Sequence, residues 1–234
     1  MKITVFSIFP EMFGGPLGAS ILKRAQEQGL LSIEVVNFRD YALSKHKNVD
    51  DEPYGGGAGM LLKPEPVYAA FEAVLGPKAA YCGKVVLMSP QGEQFSQPIA
   101  ARLAEEDELA VICGHYEGFD ERIRRLADRE LSIGDYVLTG GELPALVLAD
   151  CVTRMLPGVL AADAAFMGES HYGGLLEYPQ YTRPAVWEGR EVPEVLLNGN
   201  HALQEQWRRE QMLERTKRKR PDLLEDKTYD NHLL

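Results

Sequence analysis

The sequence predicts an α/β fold built on a mainly parallel sheet. Short strand-like apolar runs alternate with helical patterns through most of the chain, which is the signature of such sheets. The runs are apolar on both faces, as strands must be when helices cover both sides of a sheet. The turns that leave three of these strands are rich in glycine and polar residues, and ligands of open parallel sheets bind beyond the C-terminal strand ends.

The elements follow in order. Lys2–Phe9 (KITVFSIF) reads as the first strand. Ser20–Gln28 reads as a helix, with Ile21, Leu22 and Ala25 on one face and Gly29 as its stop. Ser32–Phe38 is a second strand, and Pro64–Leu75 is a helix whose proline suits an N-terminal position. Lys84–Ser89 and Glu108–Cys113 are continuous apolar strands, each followed by a polar turn. Pro98–Glu106 and Phe119–Ala127 are helical, Arg129–Ile133 is a short strand, and Leu143–Leu156 is a long apolar helix. After Pro157 the pattern changes. Gly158–Gly174 is rich in small residues, the chain from Tyr178 is loop-like with prolines 179, 184 and 193, and helical patterns return from His201. A second, smaller helical domain is expected there.

Composition excludes several classes. An apolar share of 45% against 26% charged residues is ordinary for a globular chain and rules out wholesale disorder. The three cysteines form no CxxC pair, so neither a zinc site nor a disulfide framework follows, and a reducing, cytoplasmic compartment is expected. No run approaches a membrane span. The opening MKITVFSIFPEMF has one early basic residue, and Ser7, Pro10 and Glu11 break its apolar run. It reads as a buried strand rather than a secretory signal. A net charge of −10 argues against nucleic-acid binding, unless the charge is segregated. It is: residues 207–220 (WRREQMLERTKRKR) hold seven Lys or Arg against two Glu, a local excess of +5. Either a solvated helix face or a phosphate-binding patch explains such a run.

Three turns should converge on one site: Ser89–Glu93 (SPQGE), Cys113–Gly118 (CGHYEG) and the segment Ser132–Pro144 (SIGDYVLTGGELP). Glycines there let backbone amides approach a ligand, though a strand-end turn alone would also use them. Asp135 could simply turn or cap the chain. The run Tyr54–Met60 (YGGGAGM) lacks the ending of a phosphate-binding P-loop, so it is a surface loop or a lid. His115 and His171 lack metal-ligand spacing and read as structural or surface residues; no metal site is expected. No GxSxG elbow supports covalent hydrolysis, and no GxGxxG follows the first strand to support a dinucleotide oxidoreductase.

With these motifs assembled, the chain resembles the bacterial tRNA (guanine-N1)-methyltransferase family, the TrmD type. The resemblance runs nearly end to end, through SIFPEMF, VDDEPYGGGAGM, LMSPQG, CGHYEG with FDER, SIGDYVLTGGELPA, RMLPGVL, GLLEYPQYTRP, VPEVLLNGNH and RKRPDLL. It implies a SPOUT-type parallel sheet with a deep trefoil knot, one of the rare exceptions to unknotted folds. It implies a homodimer with active sites at the subunit interface. The expected division is residues 1–160 as the knotted methyltransferase domain, 161–177 as linker and 178–234 as a helical tRNA-binding domain.

The implied reaction moves a methyl group from S-adenosylmethionine to N1 of guanine at tRNA position 37. Carried over by motif, the cofactor residues are Ser89, Pro90, Gly114, Tyr116, Glu117, Ile133, Gly134, Asp135, Tyr136, Val137, Leu138, Gly140, Gly141 and Pro144. The resemblance places the catalytic arginine at Arg154. It places the general base at Glu169, where the family normally has aspartate, with Asp163 as the fallback. His115 stands where many relatives carry arginine. Members of the family are expected to need magnesium, at a site the sequence does not locate. The alternative reading is a non-catalytic RNA-binding protein that retains the fold.

Overall fold

The computed structural model describes residues 1–161 and 168–225. The chain divides into two compact units, Met1–Ala161 and Ala162–Leu234. In the first, β1 (Lys2–Ser7) leads through a 3-10 turn and the one-turn helix α1 (Gly14–Leu17) to α2 (Ser20–Glu27) and β2 (Ser32–Asn37). The two-residue strands β3 (Asp50–Asp51) and β4 (Leu61–Leu62) form an antiparallel ribbon on either side of the glycine run. Then come α3 (Pro64–Leu75), β5 (Lys84–Gln94), α4 (Gln97–Ala104), β6 (Glu108–Cys113), β7 (Arg129–Ser132) and α5 (Glu142–Met155).

Five strands make one sheet in the order β2-β1-β6-β5-β7, with every neighbouring pair parallel. The predicted parallel α/β class is therefore what the first unit adopts. The strands alternate their side chains between two cores, because successive residues point to opposite faces. Val86, Met88, Leu109 and Val111 join Leu22 and Ala25 of α2, Leu103 of α4 and Leu148 and Val152 of α5. Val85, Leu87, Ala110 and Ile112 face the other way, against Val67, Ala70 and Phe71 of α3. Both faces are dry along β6 and the first half of β5, which is why these read as continuous apolar runs, whereas the edge strand β2 exposes Ser32 and Glu34.

Two elements differ from the sequence reading. The run Ser89–Glu93 was expected to be a loop beyond the end of its strand. Instead β5 bulges out after Met88 and returns to the same partner. Met88 and Glu93 both pair with Leu131, and Gln94 continues opposite Ser132. The return requires glycine: a Cβ on Gly92 would lie 2.5 Å from the Glu130 carbonyl carbon and the Leu131 amide. Phe119–Ala127, read as helical, is a 3-10 segment over Glu121–Leu126. Asp120 caps it by accepting from the Arg122 amide, and the segment is too short to develop α-helical bonds before β7 begins. Smaller differences are end effects, such as Phe38 leaving β2 for a 3-10 turn.

The second unit carries the hairpin β8 (Val186–Trp187) and β9 (Arg190–Glu191), the long helix α6 (His201–Lys219) and the single turn α7 (Asp222–Glu225). The Asn200 side chain caps α6 by accepting from the Leu203 amide. Tyr181 packs on Trp207 with ring centroids 6.5 Å apart. The Arg208 guanidinium lies over Tyr178, and the buried Thr216 hydroxyl accepts from the Leu176 amide at 2.9 Å. Helical structure thus returns at His201, as the sequence indicated. Among the described residues, no helix is long and apolar enough to cross a membrane.

The cysteines report on this packing. Cys113 is buried at the end of β6, and burial, reinforced by the nearby Glu142 carboxylate, pushes its thiol well above the ordinary range. Cys82 is exposed. Iodoacetamide at pH 8 is expected to alkylate Cys82 in the native protein and Cys113 only after denaturation, as read by peptide mass spectrometry. Equal labelling of the two in native protein would contradict the packing of β6.

Candidate active site

Beyond the C-terminal ends of β6 and β7, beside the bulge of β5, lies a cleft of about 620 Å³, including its open mouth. The three segments picked out in the sequence all reach it. Ser89 and Pro90 come from the β5 bulge, Gly114, Tyr116 and Glu117 from the turn after β6, Ile133, Gly134, Tyr136, Val137, Leu138, Gly140 and Gly141 from the segment between β7 and α5, and Pro144 from the first turn of α5. Asp135 is exposed and is the one predicted cofactor residue outside the lining. The Tyr136 amide donates to the Gly134 carbonyl at 2.9 Å, which makes Asp135 the apex of a three-residue turn.

The two glycine-bearing turns are held against each other by backbone. The Gly141 amide donates to the Gly114 carbonyl at 2.8 Å, and His115 bridges to Gly140. A Cβ on Gly141 would sit 2.8 Å from Cys113 Cα and 2.9 Å from the Gly114 amide nitrogen, where no side chain can move aside. A Cβ on Gly140 would collide with Glu142 Oε2 and sit 2.5 Å from His115 Nδ1. Tyr116 holds a left-handed backbone at φ +60, a conformation that costs a non-glycine residue about 1–2 kcal/mol.

Further contacts brace the walls. Phe119 lines the cleft. Its ring supports the Arg124 guanidinium at 4.9 Å, and Arg124 also bonds Gln91 in the β5 bulge at 3.0 Å. The glycine run Tyr54–Met60 does not line the cleft. Its exit is nevertheless laced to the β6 turn: the Glu117 amide donates to the Met60 carbonyl, and Leu62 exchanges bonds with Gly118 and Asp120.

Chemically, the cleft offers apolar walls from Met88, Phe119, Leu131 and Pro144, with backbone amides and carbonyls at the turns. Such a lining suits a flat, largely apolar ligand with polar edges. Sequence reasoning missed Met88, Leu131 and Phe119 as lining residues, because an apolar residue in a strand or turn carries no sequence mark of which cavity it faces. It also passed over Glu142, a glutamate at the first position of an apolar helix, which is buried beside the cleft.

Neither proposed reacting residue is among the lining residues. Arg154 is in the last turn of α5, half-buried, and is not part of the lining. Glu169 belongs to the second unit, where it is half-buried and its carbonyl accepts from the Tyr172 amide at 3.4 Å. Asp163 lies outside the described residues. Among the described residues, no group of three or more His, Cys, Asp or Glu is arranged to hold a metal ion.

The first unit is thus a parallel α/β domain with a glycine-walled small-molecule cleft at its strand ends. The family profile described as tRNA (Guanine-1)-methyltransferase TrmD matches residues 1–226, and the chain belongs to that family. It is 60% identical to the tRNA (guanine-N(1)-)-methyltransferase of Desulfitobacterium hafniense over 223 residues, which are 95% of this chain and 84% of the relative. The same enzyme of Moorella thermoacetica is 59% identical over 225 residues, 96% of this chain and 90% of the relative. That of Bacillus subtilis is 56% identical over 227 residues, 97% and 93%.

The backbone contact between the turns can be tested by substitution. Gly141→Ala is expected to lower stability by about 1–3 kcal/mol, the usual scale of overpacking, measured by urea denaturation. Gly14→Ala, where a Cβ meets nothing within 4 Å, is the control. Equal stabilities for the two variants would contradict the close approach.

Proposed function

We propose that this protein is a tRNA (guanine-N1)-methyltransferase that moves a methyl group from S-adenosylmethionine to N1 of guanine at tRNA position 37. The observation that carries the reading is the convergence of Gly114–Glu117 and Ile133–Gly141 on one apolar cleft, in a chain that matches this family over nearly its whole length. The cleft fits the donor: its backbone groups can bond an adenine edge and ribose hydroxyls, and Gly140 and Gly141 keep the wall free of side chains. Bound there, S-adenosylmethionine supplies an electrophilic methyl group.

The remaining work falls to the chain's own side chains. Guanine N1 carries a proton at neutral pH, and Glu169 takes it as general base. Arg154 holds the negative charge that develops on guanine O6 as that proton leaves. Glutamate matches aspartate in intrinsic acidity. Its side chain is one methylene longer. The magnesium requirement implied by the family has no cluster of ligands among the described residues, and no step here runs through a metal.

Several further features belong to the same reading. Residues 1–160 form the methyltransferase domain, 161–177 the linker and 178–234 the tRNA-binding domain. The trefoil knot is supported by the return of the chain from edge strand β7 to the middle of the sheet, where Gly141 abuts Cys113 and α5 packs its Leu148 and Val152 beside β1 and β6. The homodimer is supported by an apolar face on the first unit, where Pro16, Ile21, Leu146 and Val147 line a groove and Leu143 is half exposed. A patch of that kind suits a self-complementary interface. Lys217, Arg218 and Lys219 are exposed at the end of α6 and meet tRNA phosphates. A tRNA substrate and free cysteines support a cytoplasmic location.

The deciding assay offers labelled S-adenosylmethionine with tRNA transcripts bearing guanine or adenine at position 37. Label is expected on the guanine transcript alone; transfer to both overturns the assignment to guanine 37, and transfer to neither overturns the proposal and returns the non-catalytic alternative. Glu169→Gln is expected to slow single-turnover methylation by about 10²-fold or more, and near-native turnover would remove Glu169 as the base. Replacing Lys217, Arg218 and Lys219 together with Ala is expected to weaken tRNA binding and flatten its dependence on salt. Unchanged affinity would make the run a solvated helix face.

A further inference from the structure

A buried polar chain runs under the cleft and has no part in the chemistry above. Glu142, the first residue of α5, is 1% exposed. Its Oε1 accepts from the Ser7 hydroxyl at 2.7 Å, and Ser7, at the end of β1, is fully buried. Its Oε2 lies 3.8 Å from His115 Nδ1. That nitrogen is itself buried and has no hydrogen-bond partner. The imidazole is fixed by its neighbours: Phe9 packs on it with centroids 4.7 Å apart, and Tyr116 meets it edge-on at 5.2 Å. Gly140 lies over both groups, with room for nothing larger.

Physical chemistry makes this arrangement costly as it stands. A buried carboxylate is tolerated when it is bonded or paired. Glu142 has the Ser7 hydroxyl and the favourable N-terminal end of its own helix. An orphaned ring nitrogen facing a carboxylate across a gap about 1 Å longer than a charge-assisted bond stores free energy that a small closure releases. Both turns that would move lie on the cleft wall: His115 is in the β6 turn, and Glu142 directly follows Gly140 and Gly141.

We propose that Glu142 is a positioning residue for the cleft. Nδ1 of His115 carries the proton and donates it to Glu142 Oε2 when the donor molecule fills the cleft. That bond clamps the Gly114–Glu117 turn against the Thr139–Gly141 turn and so sets the affinity for the methyl donor. No covalent bond changes, and the proton stays on the imidazole. The inference rests on the S-adenosylmethionine reading of the cleft.

The test combines calorimetry with nitrogen-15 NMR of the histidine ring, using the full chain. His115→Phe keeps the ring packing and removes both nitrogens, while Glu142→Gln keeps an acceptor for Ser7 and removes the charge. Each is expected to weaken S-adenosylmethionine binding by about tenfold, the worth of one charge-assisted bond. The double variant is expected to be no weaker than the worse single variant, since both remove the same bond. In the wild type with donor bound, the His115 ring is expected to show a protonated Nδ1, and a thermal melt of each variant separates a lost clamp from a lost fold. Failure of wild type to bind S-adenosylmethionine overturns the cleft reading itself. Binding by wild type with unchanged affinity in Glu142→Gln, with additive losses in the double variant, or with an unprotonated Nδ1, overturns the role of Glu142 alone.

Discussion

Everything at the strand ends depends on one close approach of backbone to backbone. The Gly141 amide bonds the Gly114 carbonyl, and Gly141 sits against Cys113 with no space for a β-carbon. This contact brings the segment after an edge strand back to the centre of the sheet. It sets the start of α5, places Glu142 under the cleft and aligns two turns into one wall. A side chain at Gly141 would push the segment off β6, and the wall would open. The cleft is therefore a consequence of how near two stretches of main chain can lie.

That constraint also explains the character of the site. Its recognition groups are mostly peptide N–H and C=O, with apolar side chains filling the walls. A site of this kind is indifferent to the net charge of the protein, which is −10. The nucleic-acid side of the proposed reaction needs cations, and these are concentrated at the end of α6 in the other unit. On the proposed reading, small-molecule binding and polymer binding are carried by different physical means in different parts of the chain. The β5 bulge and Arg124 connect to the same wall, through Gln91 on one side and the ring of Phe119 on the other.

Much of this was legible in the residues. The parallel sheet followed from apolar runs that repeat between helices, and α3 and β6 fall at the bounds their sequences mark, because Pro64 opens one and a charged residue opens the other. The convergence of the three turns followed from topology alone, since parallel strands put their C-terminal ends on one side. The β5 bulge was not legible: Ser89–Glu93 reads as a loop, and only the pairing positions that β7 offers at Leu131 and Ser132 decide that Glu93 and Gln94 pair again. The 3-10 segment after Asp120 was hidden for a similar reason, its length being set by the distance to β7.

By itself the sequence determined the class of sheet, the glycine turns and the family, because hydrophobic period and backbone freedom are local properties that survive in any reading of the chain. Tertiary structure alone decided which groups meet. His115 reads as an ordinary histidine and Glu142 as an ordinary helix-opening glutamate. They stand 3.8 Å apart, with Ser7 from the first strand behind them, because β1 and β6 are neighbours in the sheet and Gly140 leaves room between the turns. Burial and proximity arise from the packing of distant segments, and no local pattern encodes them.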